Sequence, residues 1–222
     1  MARAAFFDLD KTILDTSSNV ALSGPFIEAG LMNRRTAIAS VLVQLPYLLS
    51  GADESRMEQM AEAMGRMGRG WNAAFLEATV EDALERTIEP VCYAQALRRI
   101  AYHKSVGDVV VIASASVEQV VRPIATMLGA DEVLASQAAI DEDGCFTGEM
   151  THFNQAQGKA DACAQLAHAR GWDLSQCSAY SDSVSDAPLL RLVGHPYAVN
   201  PDRALRDLAE REGWPTLTFM ST

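Results

Sequence analysis

Two apolar runs with strand character stand about a hundred residues apart near the start of this chain, with almost no strand signal between them. The first is AAFFD at positions 4–8, which ends on the carboxylate of Asp8. The second is Val109-Val110-Val111-Ile112, introduced by Gly107-Asp108. The intervening segment is rich in Ala, Leu, Met, Glu and Arg, residues that favour helix. It is too long for a simple crossover between neighbouring strands, so it reads as a helical insertion.

Helices are expected there over about 18–29, stopping at Gly30, over about 34–49, over about 54–67 and over about 71–86. In the second, Ile38, Val41, Leu42, Leu45 and Leu49 fall at helical spacing and Pro46 introduces a kink. Pro90 then opens a helix over about 91–103.

After Ile112 strand and helix alternate. A helix is expected over 117–128, kinked at Pro123, and a short strand over 132–135. A hairpin over 137–150 turns at Asp141-Glu142-Asp143-Gly144. Helix 157–170 ends at Gly171, followed by strand 177–180, helix 186–192, strand 197–199, helix 202–212 and a last strand at 217–219. Such alternation predicts an α/β fold with a parallel sheet covered by helices on both faces.

Composition narrows the functional classes. The chain has 222 residues, 49% of them apolar and 21% charged, the balance of a soluble globular protein. Lys and Arg number 18 against 29 Asp and Glu, a formal charge of −11. That acidity argues against a general nucleic-acid binder or an anionic-membrane binder, because phosphate backbones need a basic face. The most apolar stretch, 37–49, is too short for a span and is broken by Gln44 and Pro46, so no stable membrane insertion is expected. The start shows no signal-peptide pattern. Cys92, Cys145, Cys163 and Cys177 form no CxxC pair and have no His at zinc-ligand spacing, so they read as reduced thiols of a cytoplasmic protein.

Four short pieces carry the chemistry. Asp8-Leu9-Asp10-Lys11-Thr12 follows the first strand, and Ser114-Ala115-Ser116 follows the second. Lys159 opens a helix after Gly158, and Ser181-Asp182-Ser183-Val184-Ser185-Asp186 follows the strand at 177–180. In an open α/β sheet the ligand crevice lies outside the carboxyl ends of the strands. Asp8, Asp10, Asp182 and Asp186 gathered there would repel one another unless a cation joined them, and an oxygen-rich site with few carboxylates suits Mg²⁺. Lys159, the Ser114 hydroxyl and backbone N–H groups complete what three phosphoryl oxygens need. One carboxylate can attack as nucleophile, and a second, two residues on, can serve as acid and base.

In these four pieces the chain resembles the haloacid dehalogenase superfamily. Asp8 and Asp10 fit its DxDx[TV] motif, Ser114 the second motif, Lys159 the third, and Asp182 with Asp186 the fourth, in order along nearly the whole chain. The helical insertion between the first two motifs is similar to the cap of the phosphoserine-phosphatase-like branch (subfamily IB). The resemblance implies a Rossmann-like core made of 1–15 and 89–222 and an all-helical cap made of 16–88. It implies Asp8 as nucleophile and metal ligand. Asp10 would be the general acid/base and would bind the metal through its carbonyl. Thr12 would support the loop. Ser114, Ala115 and Lys159 would bind the phosphoryl group, and Asp182 and Asp186 would hold Mg²⁺. The function implied is a Mg²⁺-dependent phosphatase acting on a small phosphorylated metabolite through an aspartyl-phosphate. A phosphotransferase to an alcohol, or a non-catalytic binding or regulatory module on the same fold, are the competing readings.

Two departures bear on the substrate. Phosphoserine phosphatases usually carry a glutamate nine residues after the nucleophile, where this chain has Ser17. Their fourth motif usually reads Gly-Asp-Gly-x-Asn-Asp, where this chain has Ser181-Asp182-Ser183-Val184-Ser185-Asp186. Both weaken the case for phosphoserine while leaving the chemistry intact.

Other features have plainer readings. Met57, Met60, Met64 and Met67 share one helix face and read as cap packing, with an adaptable wall over a substrate or partner as the alternative. Arg34, Arg35, Arg56, Arg66 and Arg69 read as solvated, with room for one to reach the cleft. Asp186 alone could cap a helix, with Ser185 as its rival. No ligand set is evident among His103, His152, His168 and His195.

Overall fold

The computed structural model describes residues 3–33 and 54–221. Strand β1 (Ala4–Phe7) is followed by helices α1 (Ser18–Ala21), α2 (Ser23–Glu28), α3 (Glu54–Gly68) and α4 (Ala73–Ala83). A π-helical turn (Leu84–Ile88) and a 3-10 turn (Glu89–Val91) lead to α5 (Ala94–Ser105). Then come β2 (Val109–Val117), α6 (Glu118–Met127), β3 (Glu132–Ile140), β4 (Phe146–His152) and α7 (Gln157–Arg170). The chain ends with β5 (Ser178–Ser181), α8 (Ala187–Leu192), β6 (His195–Val199), α9 (Arg203–Glu212) and β7 (Thr216–Leu217). The helix expected over 34–49, with Arg34, Arg35 and Pro46, lies outside the described residues.

The seven strands form one sheet in the order β4-β3-β2-β1-β5-β6-β7. All neighbours pair in parallel except β3 with β4, which are antiparallel. Side-chain alternation along a strand explains the two-faced core. Ala5 and Phe7 of β1, with Val110 and Ile112 of β2, face one apolar cluster. Ala4 and Phe6, with Val111 and Ala113, face the other. The first cluster takes in Ala96 and Ile100 of α5, Val120 and Ile124 of α6, and also Leu22, Phe26, Leu76 and Val80 of the insertion. The second takes in Cys163 of α7, Leu189 of α8 and Leu205 of α9. The helical insertion therefore packs on the same side of the sheet as α5 and α6. Phe26 meets Trp71 edge-on at 6.1 Å within it.

Several boundaries differ from the sequence expectations for local reasons. The helix expected over 18–29 is two pieces meeting at Leu22, and Gly30 then turns with φ +73°. The helix expected over 71–86 starts after the Asn72 side chain caps the Phe75 N–H, and passes into the π turn at Leu84. Pro90 sits in the 3-10 turn, with the helix proper beginning at Ala94. The strand at 109–112 runs on to Val117, which pairs with Ser136 beyond a register shift after Ala113, and the strand at 132–135 runs on to Ile140 because its second half pairs with β4.

Helix α3 lies close against the edge strand. A Cβ on Gly65 would collide with the carbonyl oxygen of Gly148, and Gly148, at φ +93°, lies under the Arg69 side chain. Met64 and Met67 of α3, with Phe26, Trp71, Met150 and Ser116, are among the residues lining a cavity of about 50 Å³. Met64 and Met67 are thus apolar lining within the insertion, in line with the packing reading, and the side chain of Met57 lies outside those described. Arg66 is exposed and pairs with Glu62 at 3.0 Å. Among the described residues no helix is long and apolar enough to cross a membrane.

Candidate active site

The parallel pairing of β2, β1 and β5 brings their carboxyl ends side by side, which is where the sequence pieces converge. Asp8 leaves β1 with its N–H donating to the Tyr180 carbonyl at 2.9 Å, and is 7% exposed. Phe7 stacks on Tyr180 at 4.4 Å, and Tyr180 on Tyr197 at 4.7 Å, so the residues just before Asp8 and Ser181 are locked in register. Lys159, in the first turn of α7, is 2% exposed. Its Nζ donates to Asp8 Oδ1 and to Asp186 Oδ2, both at 2.7 Å. Ser181 Oγ donates to the same Asp186 oxygen at 2.8 Å. Asp186 thus anchors the lysine. It stands at the start of α8 without capping it through its side chain.

The remaining first-motif residues are placed by the loop after β1. Lys11 turns it with φ +61°. Asp10 Oδ1 accepts the Ser18 N–H at 2.7 Å, at the start of α1. Thr12, fully buried, donates through Oγ1 to Asp182 Oδ1 at 3.4 Å and ties the first motif to the fourth. Asp182 is further fixed by its carbonyl, which accepts the Asp202 N–H at 2.8 Å, while Asp202 Oδ2 accepts the Val184 N–H at 3.0 Å. Ser114, 1% exposed, lies within β2, where its Oγ accepts the Ser116 N–H at 3.2 Å. Ser17 caps α1, its side chain accepting the Val20 N–H. Ser185 Oγ donates to Ser183 Oγ and accepts from Gln155 Nε2.

Burial and charge set the protonation chemistry. Burial pushes the Asp8 carboxyl up, Lys159 pulls it back and Asp186 adds repulsion, leaving it at about 7. Asp10 is raised by burial, against the Ser18 N–H that favours its carboxylate. Asp182 is raised well above the ordinary range by burial and by its neighbours Asp8 and Asp186. Burial alone would lower Lys159, but the Asp186 and Asp8 carboxylates outweigh it and hold the ammonium charged.

The donor set fits a hard divalent cation. Asp186 Oδ1 is buried and has no hydrogen-bond partner among the described residues. Asp186 makes both Asp8 and Asp182 harder to ionise, and Asp8 adds to the burden on Asp182, which a cation would relieve. Among the described residues no three His, Cys, Asp or Glu side chains converge as a ready-made metal cage. Mg²⁺ asks for less, since it uses one or two carboxylates and keeps several waters.

Residues 5–191 match the family model for haloacid dehalogenase-like hydrolases. The chain belongs to that family. As a haloacid dehalogenase-like hydrolase it is 45% identical, over 97% of its length, to two bacterial proteins. One is the inhibition of morphological differentiation protein of Streptomyces azureus, of which it covers 78%. The other is a probable phosphatase of Mycobacterium tuberculosis, of which it covers 75%. A solved phosphoserine phosphatase, a phospho-aspartyl intermediate analogue, shares the fold with a TM-score of 0.71 at 18% identity, over 97% of this hydrolase and 93% of that chain. The haloacid dehalogenase fold with a helical insertion thus matches the sequence expectation.

Three site features of this hydrolase carried no sequence signal. The Ser181 anchor of Asp186 and the Ser18 contact to Asp10 are single hydroxyl or N–H groups whose role only tertiary structure assigns. His103, given no chemistry from sequence, is buried between Asp108 and Tyr180, with Nδ1 and Nε2 at 2.8 and 2.9 Å from them. That contact braces the Tyr180 stack behind Asp8.

Proposed function

We propose that this protein is a Mg²⁺-dependent phosphatase that hydrolyses a small phosphomonoester through an aspartyl-phosphate on Asp8. The observation that carries the reading is the buried Lys159 ammonium shared by Asp8 and Asp186 at the carboxyl ends of β1 and β5. A fixed cation beside a carboxylate nucleophile stabilises the charge on a transferring phosphoryl group. The 45% identical probable phosphatase supports the same reaction class. The phospho-aspartyl analogue seen in a phosphoserine phosphatase of this fold supports the intermediate.

In the first step an Asp8 carboxylate oxygen forms a bond to phosphorus and the bond to the leaving oxygen breaks. Asp10, whose carboxyl burial pushes up, gives its proton to that oxygen. In the second step Asp10, now a carboxylate, takes a proton from water. The water oxygen attacks phosphorus, the Asp8–phosphorus bond breaks, and inorganic phosphate leaves. Lys159, with Ser114 and the Ala115 N–H, holds the phosphoryl oxygens through both steps. Asp8, the Asp10 carbonyl and Asp182 would hold Mg²⁺, with Asp186 beside them. When bound, Mg²⁺ supplies positive charge that offsets the phosphoryl oxygens and the clustered carboxylates.

Residues 16–88 serve as the cap over this cleft, with 1–15 and 89–222 as the catalytic core. Ser17 is engaged in capping α1 and leaves no carboxylate to meet a substrate amine, so phosphoserine is not the favoured substrate. The test is steady-state hydrolysis of a generic aryl phosphate with Mg²⁺, with EDTA, and with Asp8→Asn. Metal-dependent release that is lost in the variant supports the proposal. Release that survives either change contradicts it.

A further inference from the structure

In a regular strand successive carbonyls alternate between the two neighbouring strands. At the second motif they do not. Asn154 Nδ2 donates to the Ser114 carbonyl at 3.0 Å, and Ser136 Oγ donates to the very next carbonyl, that of Ala115, at 2.7 Å. Asn154 Nδ2 also donates to the Leu134 carbonyl of β3 at 2.9 Å, and its backbone N–H donates to Ser136 Oγ at 3.0 Å. Both residues are 0% exposed. Asn154 is thus a polar wedge between β2 and β3, where their register shifts between Ala113 and Val117. Two consecutive carbonyls are drawn to the β3 side.

A trans peptide points its N–H opposite to its C=O, and no peptide in the described structure is cis. The N–H groups of Ala115 and Ser116 are therefore both turned away from β3, toward the side where β1 delivers Asp8. The Ser116 N–H already meets Ser114 Oγ there, at 3.2 Å. Successive N–H groups facing one way make an anion-binding concavity, which an alternating strand cannot provide.

We infer that Asn154 and Ser136 are positioning residues for phosphoryl transfer. They impose the backbone twist that aims the Ala115 N–H and the Ser114 hydroxyl at the phosphoryl oxygens. Neither touches the substrate. The inference rests on the phosphatase reading of the site, and its test separates the two.

Inorganic phosphate is titrated by calorimetry, with saturating Mg²⁺, into wild type, Asn154→Ala, Ser136→Ala and Ser136→Thr, and aryl-phosphate kinetics are measured alongside. Phosphate affinity is expected to fall about tenfold in both alanine variants, and kcat about 10- to 100-fold, smaller than the loss from deleting an oxyanion donor outright. Mg²⁺ affinity is expected to stay unchanged, and Ser136→Thr, which keeps the hydroxyl, is expected to regain phosphate affinity. Should Asn154→Ala not fold, Ser136→Ala, which deletes one oxygen, carries the test. Folded alanine variants with unchanged phosphate affinity and kcat would overturn the inference, as would a wild type that binds no phosphate. A wild type that binds phosphate but hydrolyses nothing would refute the phosphatase reading, with positioning still judged by the phosphate affinities.

Discussion

Lys159 and Asp8 are 151 positions apart in the chain, yet their side chains meet at 2.7 Å in the interior. Asp186 completes the arrangement from the other side of the ammonium, also at 2.7 Å. A buried charge is tolerated only when paired and hydrogen-bonded, so this triad is both a structural element and the site's electrostatic centre.

Lys159→Met is therefore expected to cost more than activity. It strands the carboxylates of Asp8 and Asp186 without their shared partner, and breaking such a buried pair costs about 3–5 kcal/mol. Urea denaturation of the metal-free protein at pH 8 measures it. A loss below about 1 kcal/mol, the range of an exposed ion pair, would show that the bridge is not maintained in solution.

In the proposed mechanism, Asp10→Asn removes the proton given to the leaving oxygen. With an alkyl phosphate, whose leaving group needs that proton, kcat is expected to fall about 10²- to 10⁴-fold. With an aryl phosphate bearing an acidic phenol the fall in phosphoenzyme formation should be much smaller. Burst kinetics on the two substrates provide the comparison. Equal losses would remove Asp10 from the acid role.

Gly65→Ala probes the seam between α3 and β4. The added methyl group meets the Gly148 carbonyl oxygen, which is backbone and cannot swing aside. Separating helix from strand is expected to cost about 1–3 kcal/mol, as for other overpacked contacts. Thermal unfolding reads it directly, and an unchanged midpoint would show that the seam is looser than described.

The four thiols should differ in reactivity. Cys163 and Cys177 are fully buried and burial pushes both thiols up. Cys92 is half-buried, and burial together with Glu89 and Asp15 raises it to about 11. Cys145 is part-exposed in the β3–β4 turn. At pH 8 an alkylating reagent is expected to modify Cys145 first and Cys163 only on unfolding. A thiol reacts as thiolate, so the rate at Cys92 should still climb toward pH 11 where an ordinary cysteine has levelled off. Peptide mapping across pH checks the order, and early labelling of Cys163 would contradict it.

Much of the architecture could be read from periodicity and end signals. Helix α7 runs over 157–170 and stops at Gly171 as expected, because its glycine stop is local. The hairpin turn at Asp141–Gly144 is local in the same way. Strand order was not legible, since pairing β1 between β2 and β5 depends on contacts far apart in the chain. The ends of β2 were missed because Ala113-Ser114-Ala115-Ser116 lacks the β-branched residues that mark strands. The first, third and fourth motif pieces were legible because each lies at a strand end or helix start, whereas Ser114 lies inside the longer β2. Asn154, Ser136 and Ser181 were not, because a single amide or hydroxyl has no pattern until tertiary structure gives it a partner.

The most direct test of the central claim is to catch the phosphoryl group on Asp8. Enzyme turning over an aryl phosphate is quenched in acid, reduced with borohydride and mapped by peptide mass spectrometry. Reduction of an aspartyl-phosphate leaves homoserine, which is expected at position 8 in wild type and at no position in Asp8→Asn. Turnover with no modified residue, or modification at another carboxylate, would contradict Asp8 as the nucleophile.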